Sequence, residues 1–127
     1  MKLLKSAVVA VALALSLGSF STTAVACEDG RTCFGPEEAI NITIGHVAEA
    51  IKLLDAKEGK HEILMHIKAA KDSSKEINAN DKVDIARGRA VGHLKKARSA
   101  IKKDKMQEGE DHLGAAEKGF TALKGLL

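Results

Sequence analysis

Histidine is the side chain of this sequence best suited to chemistry, and four of the five histidines occur at repeated positions. The segments 45–67 and 92–113 both begin with Gly-His and an apolar residue, continue as an amphipathic run, and reach Glu-Gly shortly before another histidine. Neutral imidazole is a favoured protein ligand of copper, nickel and zinc. The repeat therefore predicts divalent metal binding through four side chains: His46, His66, His93 and His112.

Three further side chains extend this candidate site. Glu62 lies four residues before His66, and Glu108 lies four residues before His112, so each carboxylate shares a helix face with an imidazole. Such a carboxylate can bind a metal itself or orient the imidazole by accepting its second N–H. His61 lies one turn before a methionine and forms a similar imidazole–thioether pair. This donor set suits copper, nickel or zinc and does not suit calcium or magnesium, which prefer oxygen ligands.

An alternative interpretation gives these histidines no metal. Each of the four repeated histidines flanks the apolar stripe of its helix, where a half-buried imidazole needs no ligand to explain it. The chain would then be a helical-bundle interaction protein of the cell envelope, with histidines that are incidental or respond to pH. If metal is bound, the flanking positions favour shallow sites shared by two helices over one closed site in the core.

No catalytic arrangement is predicted. The two cysteines do not form a Cys-x-x-Cys redox motif, and no haem-attachment motif is present in the sequence. The serines show no arrangement with histidine and aspartate that would indicate a nucleophile. We therefore expect that the protein is not an enzyme.

The first 26 residues have the pattern of a secretory signal peptide. Lys2 and Lys5 precede the apolar run 7–15, and Ala24-Val25-Ala26 closes the segment. This run is shorter than the ~20 apolar residues that a membrane helix needs, and no later segment reaches that length. Removal of 26 of the 127 residues leaves 101, so we expect a soluble protein that is exported to the periplasm and has no transmembrane segment.

Both cysteines lie in the segment 27–35, directly after the predicted cleavage site. Cys27 and Cys33 flank an Asp-Gly turn signal and are predicted to form a local disulfide, because exported thiols are normally oxidised. An alternative takes Ala-Val-Ala-Cys as a lipoprotein box, in which Cys27 is acylated and anchors the protein to a membrane. Ala24 favours the disulfide, since such boxes usually carry leucine at that position.

Charge and composition bear on the partners. Lys2 and Lys5 leave with the signal peptide, so 18 of the 20 basic side chains remain against 17 acidic ones. The two signs are interleaved along the sequence, as on an ordinary solvated helix surface. With this balance, and with no Trp or Tyr on which bases could stack, we expect no nucleic-acid partner. We also expect a monomer.

Apolar residues recur at helical spacing in four segments. Pro36 begins the first helix, two carboxylates follow in its first turn, and apolar residues continue at steps of four and three as far as Leu54. Further helices are expected at about 60–77, 82–101 and 106–127, with Asn80 in the loop that caps the third. Four helices joined by short loops predict an all-α, up-down-up-down four-helix bundle over residues 36–127, built from two repeated helical hairpins.

The predicted bundle places four histidines at one level. Counted from turns near residues 58 and 104, His46 and His93 lie 12 and 11 residues before their turns. His66 and His112 each lie 8 residues after theirs. If both turns lie at the same end of the bundle, all four histidines are roughly 12 to 18 Å from that end, since a helix rises ~1.5 Å per residue.

A family resemblance is carried by the segments 46–73 (HVAEAIKLLDAKEGKHEILMHIKAAKDS) and 91–123 (VGHLKKARSAIKKDKMQEGEDHLGAAEKGFTAL). They resemble the small metal-binding protein family of the bacterial periplasm, through the two Gly-His openings, the two Glu-Gly turns, and the histidines that follow, His66 and His112. The resemblance covers most of the mature chain and implies an exported four-helix bundle that binds copper and other divalent metals. Members carry histidine almost every turn or two, whereas this chain has five, so the resemblance implies fewer sites here.

Overall fold

The structure, a computed structural model, describes residues 25–26 and 32–127. Four α-helices follow one another in this part of the chain: α1 Pro36–Asp55, α2 Lys60–Ser74, α3 Asp81–Lys102 and α4 Met106–Leu123. A short 3₁₀ helix, Lys124–Leu126, follows α4. Two two-residue strands, β1 Val25–Ala26 and β2 Thr32–Cys33, pair antiparallel ahead of the helices. The predicted all-α four-helix architecture is confirmed.

Two predictions concern the region before the helices. Apart from β1, the predicted signal peptide (residues 1–26) lies outside the described residues. Cys27 also lies outside them, and with it the predicted disulfide and the alternative lipid anchor.

The helices pack as a ring in which each contacts two others. α1 packs on α2 and α4, and α3 packs on α4 and α2, as expected for an up-down-up-down bundle. The Nζ atom of Lys60, at the start of α2, donates to the carbonyl of Lys102 at 3.0 Å and pairs with Asp104 Oδ1 at 2.9 Å. This contact joins the start of α2 to the α3–α4 turn. The two hairpin turns therefore lie at the same end of the bundle, which is the condition for the four histidines to share one level.

Local sequence signals account for most of the helix ends. Pro36 occupies the first turn of α1, where its missing N–H is not needed, and the Asn80 side chain caps α3 by accepting from the amide of Val83 at 3.0 Å. α2 ends at Ser74, earlier than predicted, because the next three amides bond to carbonyls three residues back. Ile77 is nevertheless fully buried, as its place on the predicted stripe requires.

Only the first of the two predicted Glu-Gly turns is found. Glu58 and Gly59 lie in the connection between α1 and α2, as predicted, whereas Glu108 and Gly109 lie inside α4, so that part of the predicted repeat is wrong. The chain turns at Lys57 and Asp104, which have positive φ angles of 55° and 61°. Gly59 is the N-cap residue of α2, whereas Gly109 lies inside α4 and is buried. A Cβ at Gly109 would lie 2.6 Å from the Cγ1 of Ile101, so glycine there permits close packing of α4 on α3. Its role is therefore packing and not turning.

The core runs along the inside of the ring. Its largest fully buried side chain is Phe120 of α4, and the helices facing it supply mainly isoleucine, leucine and alanine. α3 contributes small side chains such as Ala90 and Ala97, as its sequence predicts. The buried hydroxyl of Thr43 donates to the carbonyl of Ala39 at 2.7 Å, so this polar group is satisfied.

Candidate functional site

One pair of histidines lies between α1 and α2. His46 and His66 each precede a buried apolar residue of their helix, Val47 and Ile67, so both rings lie beside the core and are half-buried. Their Nδ1 atoms are 3.4 Å apart. The ring centroids are 5.6 Å apart and the ring planes are inclined at 37°. The two imidazoles therefore present nitrogen atoms to one another across the helix–helix contact.

A second pair lies between α3 and α4 and has almost the same geometry. His93 and His112 precede buried Leu94 and Leu113, and their Nδ1 atoms are 3.3 Å apart. The ring centroids are separated by 5.5 Å and the planes by 33°. The two copies of the repeat thus build the same arrangement. The pair is a repeated feature of the hairpin and not an isolated contact.

The separation of the nitrogens fits joint binding of one metal ion. With metal–nitrogen bonds of about 2.0–2.1 Å, two ligands at the tetrahedral angle lie about 3.3–3.4 Å apart, and two ligands at a right angle about 2.8–3.0 Å apart. The Nδ1 separations of both histidine pairs, 3.4 and 3.3 Å, match the tetrahedral value. Square-planar Cu(II) would require the nitrogens to approach by about 0.5 Å, which a small change in side-chain torsion supplies. Without a metal, each contact is a hydrogen bond between the two rings, in which the tautomer decides which Nδ1 donates.

The four histidines do not form a single cluster. Each pair lies between the two helices of its own hairpin, and the hairpins join through the α1–α4 and α2–α3 contacts. Within residues 25–26 and 32–127, no three or more His, Cys, Asp or Glu side chains are grouped so that they could hold a metal ion. The four histidines therefore form two separate pairs, one in each hairpin.

The other predicted site residues do not complete either pair. The carboxylate of Glu62 lies over the backbone of Gly59, where a Cβ would collide with it, so it is turned toward the start of α2 and away from His66. Glu108 and His112 line one open groove between α3 and α4, but with lysines rather than further ligands. His61 is exposed on α2.

Glu49 influences the first pair and was missed by sequence reasoning. Burial lowers the pKa of His46 below its ordinary value of 6.5, the charge of His66 lowers it further, and the charge of Glu49 opposes both effects. Glu49 follows His46 by three residues, a spacing that places it on the same helix face. The corresponding residue after His93 is Lys96. The two pairs therefore differ in the sign of the charge beside them.

The lowered pKa of His46 predicts a loss of stability in acid. The unfolded chain binds a proton at this side chain near pH 6.5, and the folded chain binds it only at lower pH. The contribution of neutral His46 is therefore complete above pH 6.5 and is lost as the pH falls through the folded-state pKa. Urea unfolding of the parent chain and of His46→Gln at pH 7.5 and 5 measures this. The parent should lose more free energy of unfolding than the variant, and an equal loss in both would contradict the assignment.

Comparisons of the chain with protein families, with curated proteins and with solved structures find no match. Of the helices that the structure describes, none combines the length and the apolar character needed to cross a membrane.

Proposed function

We propose that this chain is a binding protein, not an enzyme, that buffers or sequesters divalent transition metals in the periplasm, and that it belongs to the small metal-binding protein family. The ions are Cu(II) first, and also Ni(II) and Zn(II). The observation that carries the proposal is the pair of matched imidazole couples, with Nδ1 separations of 3.4 and 3.3 Å. A separation suited to one shared metal ion, built twice from different residues, has a simple explanation if metal binding is the common purpose.

Two imidazoles leave the coordination of a metal incomplete. The remaining positions are open to water or to a ligand from another molecule, so bound metal is accessible and can exchange. This property suits buffering better than a permanent structural role, for which four protein ligands are usual. Cu(II) is placed first because nitrogen ligands bind it more tightly than Ni(II) or Zn(II). Zn(II) requires the smallest movement of the rings.

A second candidate function is a periplasmic interaction protein whose histidines respond to pH. The half-buried position of His46 and its lowered pKa favour this candidate, because protonation of both rings of a pair would place two positive charges in contact. The two functions differ in their response to metal. Metal should raise the unfolding temperature of a metal-buffering protein and leave that of a pure pH sensor unchanged.

Calorimetric titration of the metal-free chain tests the proposed function. At pH 7.5 we expect two metal ions per chain for each of Cu(II), Ni(II) and Zn(II), with affinity falling in acid because protons compete with the metal for the imidazole nitrogens. His61→Ala is the matched control, since it removes the histidine outside both pairs and should retain both sites. Absence of any binding tighter than millimolar for all three metals would sink the proposal.

A further inference from the structure

The charged side chains are segregated between the two sides of the bundle. α2 and α3 together carry ten basic and four acidic side chains, a formal charge of +6. α1 and α4 together carry eight acidic and two basic side chains, a formal charge of −6. Because α2 packs on α3 and α1 packs on α4, each sign has a continuous face. The two signs are interleaved along the sequence but are not evenly distributed among the helices.

Two carboxylates show how closely like charges meet on the acidic face. Asp55 at the end of α1 and Glu110 of α4 line the same groove. A hydrogen bond with Asp55, and its negative charge, raise the pKa of Glu110 above its ordinary value. On the acidic face, carboxylates of different helices are therefore close neighbours.

The basic face is concave. Two adjoining grooves run between α2 and α3 and share Lys71 and Lys95, one on each helix. The first groove extends to Arg87 and the second to Lys102, positions that are 15 residues apart on α3. At ~1.5 Å per residue, the combined groove is about 22 Å long. A ligand that fills it must be extended.

Most of the cations in this combined groove lack a carboxylate partner. Lys75 and Arg87, near one end, are paired with acidic residues on their own helix or its flank, at 3.4 and 3.5 Å. Over residues 32–127 no ion pair joins the other four groove cations to an acid: Lys71, Lys95, Arg98 and Lys102. Four uncompensated positive charges in one narrow channel attract anions more strongly than the same charges dispersed over a surface.

We propose that this basic groove binds a linear phosphate polymer, of which inorganic polyphosphate is the simplest. A flexible thread with a negative charge on every unit can follow the full length of the groove and meet each cation in turn. Neutralisation of the polymer by lysine and arginine releases its condensed counterions, which supplies the free energy of binding. The groove needs no specific hydrogen-bonding geometry for such a ligand.

Other anionic partners fit the groove less well. A flat membrane would contact the lysine side chains but could not follow the groove, whose lining also includes Gly88 and Val91. The acidic face of a second copy would present whole helices about 10–12 Å wide, and exposed ion pairs alone contribute little. Single-stranded nucleic acid gains much of its affinity from stacking, and the chain has no Trp or Tyr. Of the phenylalanines in the described residues, Phe120 is buried and Phe34 packs against the core.

Binding of inorganic polyphosphate to the full chain, measured by calorimetry with a chelator present, tests the proposal independently of metal binding. We expect saturable binding. The logarithm of the association constant should fall linearly with the logarithm of salt concentration, with a slope of about −3 for four charge contacts. The double variant Lys71→Glu/Lys95→Glu should bind at least about tenfold more weakly. Lys71→Gln/Lys95→Gln removes the two charges without reversing them and should lose less affinity for polyphosphate than the glutamate variant. It replaces that variant in the test if charge reversal impairs folding.

The matched control is Lys52→Glu/Lys118→Glu. It makes the same change in net charge at exposed positions of the acidic face and should bind polyphosphate within about twofold of the parent. Equal weakening of the control would overturn the groove as the site. The proposal also fails if polyphosphate does not bind, whether the chain instead binds anionic vesicles, self-associates at low salt, or does neither. Tighter binding of an oligonucleotide of equal charge would likewise overturn it.

Discussion

A chain in which His66 and His112 are both replaced by alanine is expected to bind Cu(II), Ni(II) and Zn(II) at least about 100-fold more weakly than the parent chain. Each replacement removes one of the two Nδ1 atoms that face each other at 3.4 and 3.3 Å. The remaining imidazole of each pair then binds metal alone, as any surface histidine does. Loss of a group that merely orients a ligand typically costs 10–100-fold in affinity, so loss of the ligand itself should cost more.

Single replacements make this prediction sharper. His66→Ala should remove one of two sites and leave the other with its original affinity, because the second pair lies between different helices. His112→Ala should have the converse effect. Calorimetric stoichiometry would therefore fall from two to one in each single variant and to none in the double variant. Because both rings are only half-buried, circular dichroism should show the helical content of the parent in all variants.

An unchanged stoichiometry in the double variant would mean that metal binds elsewhere or without these rings. The histidine pairs would then be packing contacts or pH-responsive groups. Residual dependence of stability on pH in the metal-free variants distinguishes these two roles, since protonation of His46 acts without metal.

The sequence was sufficient to place four histidines at one level, because height along a helix follows directly from residue number, and their flanking positions favoured sites shared by two helices. It was not sufficient to predict which two helices share each site. Whether four rings at one level converge depends on the rotation of each helix about its own axis, which is set by packing of the whole core. The same limitation applies to Glu62, whose carboxylate turns toward Gly59 even though its spacing from His66 is suitable.

The helices were predictable from apolar residues at steps of three and four, since burial of one stripe per helix decides their extent. The turns were also predicted at the right places, near residues 58 and 104, but the residues that adopt the positive φ angle were not. Glycine is the usual signal for a positive φ angle, yet the chain turns at Lys57 and Asp104, where four-helix packing and short connections impose that conformation on other residues. Gly109 illustrates the converse, because it is needed for the approach of α4 to Ile101.

The charge distribution adds a relation between the two candidate sites. α1 is acidic and α2 basic, and the same holds for α4 and α3, so each histidine pair lies at a boundary between the two faces. The local charges nevertheless differ, because Glu49 lies beside the first pair and Lys96 occupies the corresponding position beside the second. A carboxylate attracts a divalent cation and an ammonium group repels it. The first pair should therefore be the tighter of the two proposed metal sites.

Stability should depend most strongly on Phe120, and its replacement by alanine is expected to lower the free energy of unfolding by about 3–5 kcal/mol. Phe120 is fully buried and is the largest such side chain in the described structure. α3 offers little to fill the space that it would leave, since its core positions include Ala90 and Ala97. A small domain has only about 5–15 kcal/mol of stability in total, so the loss is a large fraction of it.

Urea unfolding followed by circular dichroism measures this effect, with Ile85→Ala as the matched control. Ile85 is 60% exposed, so its truncation removes apolar surface without leaving a cavity and should change the free energy of unfolding by less than about 0.5 kcal/mol. If Phe120→Ala cost no more than the control, the bundle would have to collapse around the missing ring. Such a collapse would mean that the core is not rigid, and a core that is not rigid would not hold both histidine pairs at 3.3–3.4 Å. The stability of Phe120→Ala thus bears on the geometry of the proposed metal sites as well as on the fold.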